Sequence, residues 1–419
     1  MENLPMVSEI SPRVTAPQIS PRSDIAVAEL VTLCVTMLVV STTAAATMSA
    51  VPFLLQSLES GGARATRDLG LISSLYWGAM FVIAPITGRL SDSRGRRNYL
   101  LMSVAIYAVS TWSLLFVSTP WQLYFSRLLA GIGVGGVLPL MLAKVADAST
   151  DEQRISRFAI LTTAAMAGGL AGPYLGGLLD TSVVLTGFQV SKSLVAAAIL
   201  STTAMALLLF LTARDIPTPS PADTGSSLTG QGVSSFFLLS MVLMYGVGIF
   251  EFGLSSQALG TLQLKPDQLG LMYTACALIM LLMQALFFAS NFRRFADRYL
   301  LVPSFAVAAI GLLLFPTVTG LNQLLGVLAL VSGGAGVAAP LISWRIASLA
   351  QGRRGGQLGL QSALSNLGQA TGAFTGAMLS GWLFQSPYWL GGLLLGSAAG
   401  LLLISVACSS QRIGERSRF

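Results

Sequence analysis

Apolar residues run along this chain in twelve stretches of about 20 residues, the length an α-helix needs to cross the hydrocarbon of a bilayer. They fall near 27–55, 70–88, 98–117, 121–143, 157–179 and 189–212, then near 234–258, 269–290, 299–318, 322–344, 357–384 and 388–408. Between the two groups, Arg214 to Gly232 holds Pro217, Pro219, Pro221, Gly225, Ser226, Ser227 and Gly230, the composition of a flexible linker. The pattern predicts an all-α membrane protein of twelve transmembrane helices. Its expected layout is a disordered tail over 1–24, a six-helix bundle over 25–213, a linker over 214–233, a second six-helix bundle over 234–408 and a tail over 409–419.

Two strings repeat between the halves. Leu69-Gly70-Leu71 opens the second run and Leu269-Gly270-Leu271 the eighth; Gly168, Gly172 and Gly176 in the fifth run recur as Gly368, Gly372 and Gly376 in the eleventh. Both lie at the same offset, so the bundles are expected to be pseudo-symmetric. A duplicated transporter places its substrate site at the interface of its halves, near the midplane, where rocking exposes it alternately.

Composition agrees. Only 10% of the 419 residues are charged and 53% are hydrophobic, whereas a soluble domain carries roughly 25% charged residues. So few charges cannot cover a water-soluble surface. The net charge of +7 invites a nucleic-acid partner, but the charges sit in loops. Arg64, Arg67, Lys192 and Lys265 fall on one side of the threading and Arg127 within a span; the other Lys and Arg fall on the side of the amino terminus. The positive-inside bias then makes both termini cytoplasmic. Met1 to Asp24 is polar, with four prolines and no apolar core beside a cleavage site, so it reads as a tail and not a signal peptide. Cys34, Cys276 and Cys408 lie in apolar runs and read as packing residues. With no histidine and scattered acids, neither a metal site, a cofactor nor a polytopic membrane enzyme finds support, and any proton relay must do without imidazole.

Four features carry candidate chemistry. The loop after the second run reads Gly88-Arg89-Leu90-Ser91-Asp92-Ser93-Arg94-Gly95-Arg96-Arg97. Gly88 and Gly95 permit a tight turn, and Asp92 can pair with the arginines or sit at a helix amino terminus. Arg127 lies within the fourth run, where a charge costs roughly 2.5–3.5 kcal/mol on insertion scales; it either faces the interior or snorkels to the outer interface. Gly168, Gly172 and Gly176 make a bare stripe that lets another helix approach closely, with Gly177 following, and Pro173 removes one backbone donor and can kink the helix. Glu251, in Gly246-Val247-Gly248-Ile249-Phe250-Glu251-Phe252-Gly253, is the acid that falls well inside a span. It can exchange protons as a cavity opens to each side, bind a cationic substrate group, or be a neutral hydrogen-bonded residue. Further polar groups inside spans are cavity candidates or helix–helix glue: Tyr76, Trp77, Tyr245, Tyr273, Gln284, Gln361, Asn366 and Gln369.

The loop string resembles the signature of the major facilitator superfamily, G-x-L-x-D-x-x-G-R-K/R. The resemblance implies that Asp92 and its arginines latch the halves on the cytoplasmic side. The copy at Asn291-Phe292-Arg293-Arg294-Phe295-Ala296-Asp297-Arg298 has lost the glycines, so a second latch is not expected. Leu123 to Gly133 is similar to the family's embedded-arginine motif, with Ala130 where glutamine is common. Gly168 to Leu179 is similar to G-x-x-x-G-P-x-x-G-G, which marks the antiporter branch of drug and metabolite exporters. The implied protein is a proton-coupled exporter of a small organic molecule such as a drug or siderophore, a monomer in a bacterial inner membrane, with Glu251 carrying the proton and Arg127 tuning it or binding substrate anion. The alternatives are an importer on the same fold and, further off, a non-transporting sensor or scaffold.

Overall fold

The computed structural model describes residues 27–58, 63–149, 151–179, 182–185, 188–212, 233–289, 300–349, 354–380 and 386–416. Within them the helices are α1 (Val27–Leu58), α2 (Ala63–Arg94), α3 (Arg96–Ser113), α4 (Pro120–Asp147), α5 (Asp151–Leu178), α6 (Lys192–Leu211), α7 (Val233–Leu259), α8 (Pro266–Ala289), α9 (Leu301–Leu314), α10 (Leu321–Leu349), α11 (Arg354–Leu379) and α12 (Ser386–Arg416). Each apolar run of the sequence coincides with one helix. The linker over 214–232 and the loop at 291–298 lie outside the described residues. Helix α12 continues to Arg416, so the tail expected from 409 is helical for most of its length.

Ten of these helices are long and apolar enough to cross a bilayer, which makes this a multi-pass membrane protein. Helix α9 is apolar but shorter. Helix α11 does not qualify because it is rich in Gly, Ser, Thr, Asn and Gln. It is packed between α7 and α2, and a helix that shows little of itself to lipid needs little hydrophobicity. The opposite holds on the periphery, where Phe210, Leu238, Leu393 and Leu401 are exposed, as side chains bathed in hydrocarbon should be.

The packing repeats. In the first half α1 lies against α5, α6 and α4, α3 against α4 and α6, and α2 against α4; in the second, α7 lies against α11, α12 and α10, α9 against α10 and α12, and α8 against α10. Between halves α2 packs on α11 and α5 on α8, two contacts that exchange under the same correspondence. Even the helix ends repeat. Helices α3 and α9 each finish in a 3₁₀ turn, Leu114–Phe116 and Phe315–Thr317. Gln122 then accepts from the Thr119 backbone N–H (3.3 Å) to cap α4, as Gln323 accepts from that of Thr319 (2.8 Å) to cap α10. Such a glutamine at the third helical position satisfies an orphan donor.

One departure from the all-α expectation is a two-stranded antiparallel hairpin, β1 (Ser182–Leu185) with β2 (Phe188–Ser191), between α5 and α6. Apolarity alone places Gln189 to Ser191 at the start of the sixth run. The missed signal in the sequence is Gly187 between two short segments that carry Val183, Val184, Phe188 and Val190, residue types that favour strands.

Candidate functional site

The glycine stripes set the geometry. On α5, Gly168, Gly172 and Gly176 press against the α1 backbone, where an added Cβ would overlap the carbonyl oxygens of Leu38, Thr42 and Ala46. On α11, Gly368 and Gly372 do the same against the α7 carbonyls of Met241 and Tyr245, while Gly376 meets the Phe252 ring. Gly177 and Pro173 then meet the other half: Gly177 faces the backbone of Pro266 and Asp267 on α8, and Gly270 faces the Pro173 carbonyl. Thr274 Oγ1 donates to the Leu170 carbonyl across the same seam (3.3 Å), and Gly70 on α2 faces Ala373 and Ala377 on α11. These contacts crowd toward the ends of α5 and α2 that lie away from the arginine-rich loops. Near those loops, Gly88, Gly356 and Gly359 meet nothing where a Cβ would stand.

Glu251 sits on α7 at the junction of the halves. Gln369 Nε2 on α11 donates to its Oε1 (2.9 Å), and the buried indole N–H of Trp77, on α2 in the first half, lies beside it. The Tyr273 hydroxyl touches its backbone carbonyl (3.2 Å) and Ser255 Oγ (2.6 Å). Glu251 lines two neighbouring cavities. The larger, about 200 Å³, is mostly apolar, with Met48, Trp77, Gly169, Pro173, Phe250 and Met280 in its wall. The smaller and more polar one is bounded by Tyr76, Ser73, Arg127, Ser255 and Tyr273.

Arg127 does not snorkel. It is 4% exposed, its guanidinium carbon lies 5.7 Å from the Tyr76 ring centroid, and Tyr76 in turn meets Trp77 edge-on at 5.0 Å. Its Nε and Nη2 are buried with no hydrogen-bond partner. No ion pair joins Arg127 to Glu251, although both face the smaller cavity.

Of the cavity candidates, Tyr76, Trp77 and Tyr273 line a cavity and Gln369 holds Glu251. Tyr245 packs against the second-half core, and Gln361 is buried glue, donating to Ser343 Oγ (2.8 Å) and Ser240 Oγ (3.5 Å). Gln284 and Asn366 are half-buried and line neither cavity. Met48 and Cys276, both cavity-lining, were passed over because an apolar residue in a span carries no signal of its own.

At the basic end the loop arginines reach several partners of the first half. Arg96 pairs with Asp147 (3.0 Å) and donates to Ser91 Oγ (2.8 Å); Arg97 donates to Thr212 Oγ1 (3.1 Å) and the Leu209 carbonyl (2.6 Å). These bonds tie α3 to α2, α4 and α6; the side chain of Asp92 is outside the described residues. Glu29 on α1 and Lys144 on α4 form a buried ion pair at 3.1 Å.

The sequence model of the Major Facilitator Superfamily matches residues 33–235 and 236–414. The class D tetracycline resistance protein of Salmonella ordonez is 28% identical over 75% of this chain and 79% of its own length. The quinolone resistance protein NorA of Staphylococcus aureus is 22% identical over 76% of this chain and 81% of its own. The solved structure of the POT family transporter PepTSo superposes with a TM-score of 0.69 at 12% identity, covering 91% of this chain and 98% of that one; at that identity the match speaks for the fold alone.

Proposed function

The chain belongs to the Major Facilitator Superfamily, a family of transporters, and groups with its drug-resistance branch; on that premise we propose that it exports a small organic molecule in exchange for protons. In this reading all twelve helices span the membrane as two pseudo-symmetric six-helix bundles, and the protein works as a monomer in a bacterial inner membrane with both termini cytoplasmic. The halves are packed closely at the end away from the arginine-rich loops, where Gly177 meets Pro266 and Gly70 meets Ala377. We read the tight packing at that end as an inward-facing state. Gly88, Asp92, Gly95, Arg96 and Arg97 brace the inner end of the first half and latch the halves in the opposite state.

Glu251 carries the proton. The observation behind this is its place between the halves, held by Gln369 from one and flanked by Trp77 from the other. An ionised carboxylate there is costly unless solvated or paired, so rocking the halves changes its hold on a proton. Alternating access then links each proton taken up outside to one substrate released.

The test uses proteoliposomes with an imposed proton gradient and a panel that runs from the tetracycline and quinolone classes named for the relatives down to single-ring organic acids, amides and amines. Wild type should move one of them against its gradient with proton counterflow, and Glu251→Gln should lose at least tenfold of that exchange. Proton-driven exchange at the wild-type level in Glu251→Gln would sink the assignment.

A further inference from the structure

Arg127 is the cation this site cannot silence. A buried carboxylate can neutralise itself by binding a proton, as Glu251 must in the cycle above, but a guanidinium cannot lose its charge in a protein. Surrounding groups should therefore compensate Arg127, and they do so only in part. It has the Tyr76 ring against it, no ion pair with Glu251, and two buried nitrogens, Nε and Nη2, without hydrogen-bond partners. Unpaired buried charge of this kind is expensive. Nε and Nη2 are also the pair whose N–H bonds run parallel along one side of the guanidinium, the fork that takes both oxygens of a carboxylate at once.

We propose that this fork is the head-group site of the transported substrate, and that the substrate class is a monocarboxylate carrying one apolar ring. The body goes into the neighbouring cavity, lined by Met48, Trp77, Phe250, Met280 and Val331. An apolar cavity of about 150 Å³ accepts benzene, so one of about 200 Å³ takes a single ring with a short chain. The two cavities share Met48, Glu251 and Tyr273, which puts the head beside the proton-carrying acid. Because the fork is sealed in this conformation, loading the head widens the smaller cavity, and binding is coupled to movement of the halves.

This inference rests on the transport reading, and its test is kept apart from it by measuring equilibrium binding with no gradient. Full-length protein in detergent is titrated calorimetrically with 4-phenylbutanoate, 4-phenylbutanamide and 4-phenylbutylammonium. The carboxylate should bind at least tenfold more tightly than the other two. Arg127→Gln should abolish that preference, and Arg127→Lys, which keeps the charge but not the fork, should keep only part of it. If the variants do not fold, the wild-type ranking decides alone. Equal binding of acid and amide, preference for the amine, no binding of the acid at millimolar concentration, or a preference that survives Arg127→Gln each overturns the proposal. Loss of proton-driven exchange in Glu251→Gln with no carboxylate preference would leave the transport reading standing and this one refuted.

Discussion

The two halves are alike in what holds them together and unlike in what they put in the middle. Gly172 lies on the Thr42 carbonyl and Gly372 on that of Tyr245; six residues along each partner helix stand Met48 and Glu251. Gly133 lies on the Tyr107 backbone and Gly334 on that of Ser304 and Ala308; six residues before each glycine stand Arg127 and Leu328, both buried. One residue past Gly168 and Gly368 come Gly169 and Gln369. Helix contacts are constrained by backbone approach, and both halves obey the same constraint. The side chains facing the cavities are free of it. The first half received a permanent cation and open space, the second a titratable acid and the amide that holds it. A symmetric frame with an asymmetric charge pair is what a rocking exchanger needs, since two identical halves would offer no separate places for proton and ligand.

The frames also differ at their inner ends, and the largest predicted effect tests that. The first half is fastened there by the buried Lys144–Glu29 pair, the second by the neutral bonds of Gln361, Ser240 and Ser343. Removing one partner of a buried pair strands the other, so Lys144→Ala should cost about 3 kcal/mol. Gln361→Ala should cost about 1 kcal/mol. Thermal unfolding in detergent reads both. The double variant Lys144→Met with Glu29→Gln should recover most of the loss; if it does not, charge stranding is the wrong cause.

The glycine stripes come next. A methyl at Gly172 or Gly372 must push two helices apart, and overpacking of this kind costs about 2 kcal/mol. Because both face a carbonyl in the same register, the two losses should match within about 0.5 kcal/mol. Gly88→Ala, inside α2 where a Cβ meets nothing, should leave the melting temperature level or raise it slightly. A loss at only one stripe would mean that the halves are not mechanically equivalent.

Legibility in the sequence divides along the same line. Helices were readable because lipid and protein interior both demand apolar residues, so runs such as Val27–Leu58 announce themselves, and the stripes were readable because close approach admits only glycine. Glu251 emerged by elimination. Its partners did not: Gln369 and Asn366 are both polar residues of one helix, and only packing separates the one that reaches an acid from the one that does not. Lys144 and Glu29 escaped notice because they lie far apart in sequence and each sits near a helix end, where a charge needs no explanation. The arginine-rich loop reads as a link between halves, and its bonds from Arg96 and Arg97 to α4 and α6 were not legible, since those partners lie far off in sequence and carry no motif of their own.

The smallest expected change in stability carries the most information about the cavity. Gly169 is one residue from a stripe glycine but faces the larger cavity, where a Cβ would meet nothing. Gly169→Ala therefore adds no clash and removes a helix-interior glycine, which is worth up to about 1 kcal/mol of stability. The melting temperature should stay level or rise slightly. The methyl nonetheless takes volume from a cavity of about 200 Å³, so substrates with the bulkiest rings should lose affinity while the smallest keep theirs, a shift of roughly threefold to tenfold, as about 1 kcal/mol allows. Competition among ring-substituted substrates in proteoliposomes measures it. If Gly169→Ala changed stability but not selectivity, Gly169 would belong to the frame, and the line between a duplicated frame and an unduplicated centre would have to be drawn elsewhere.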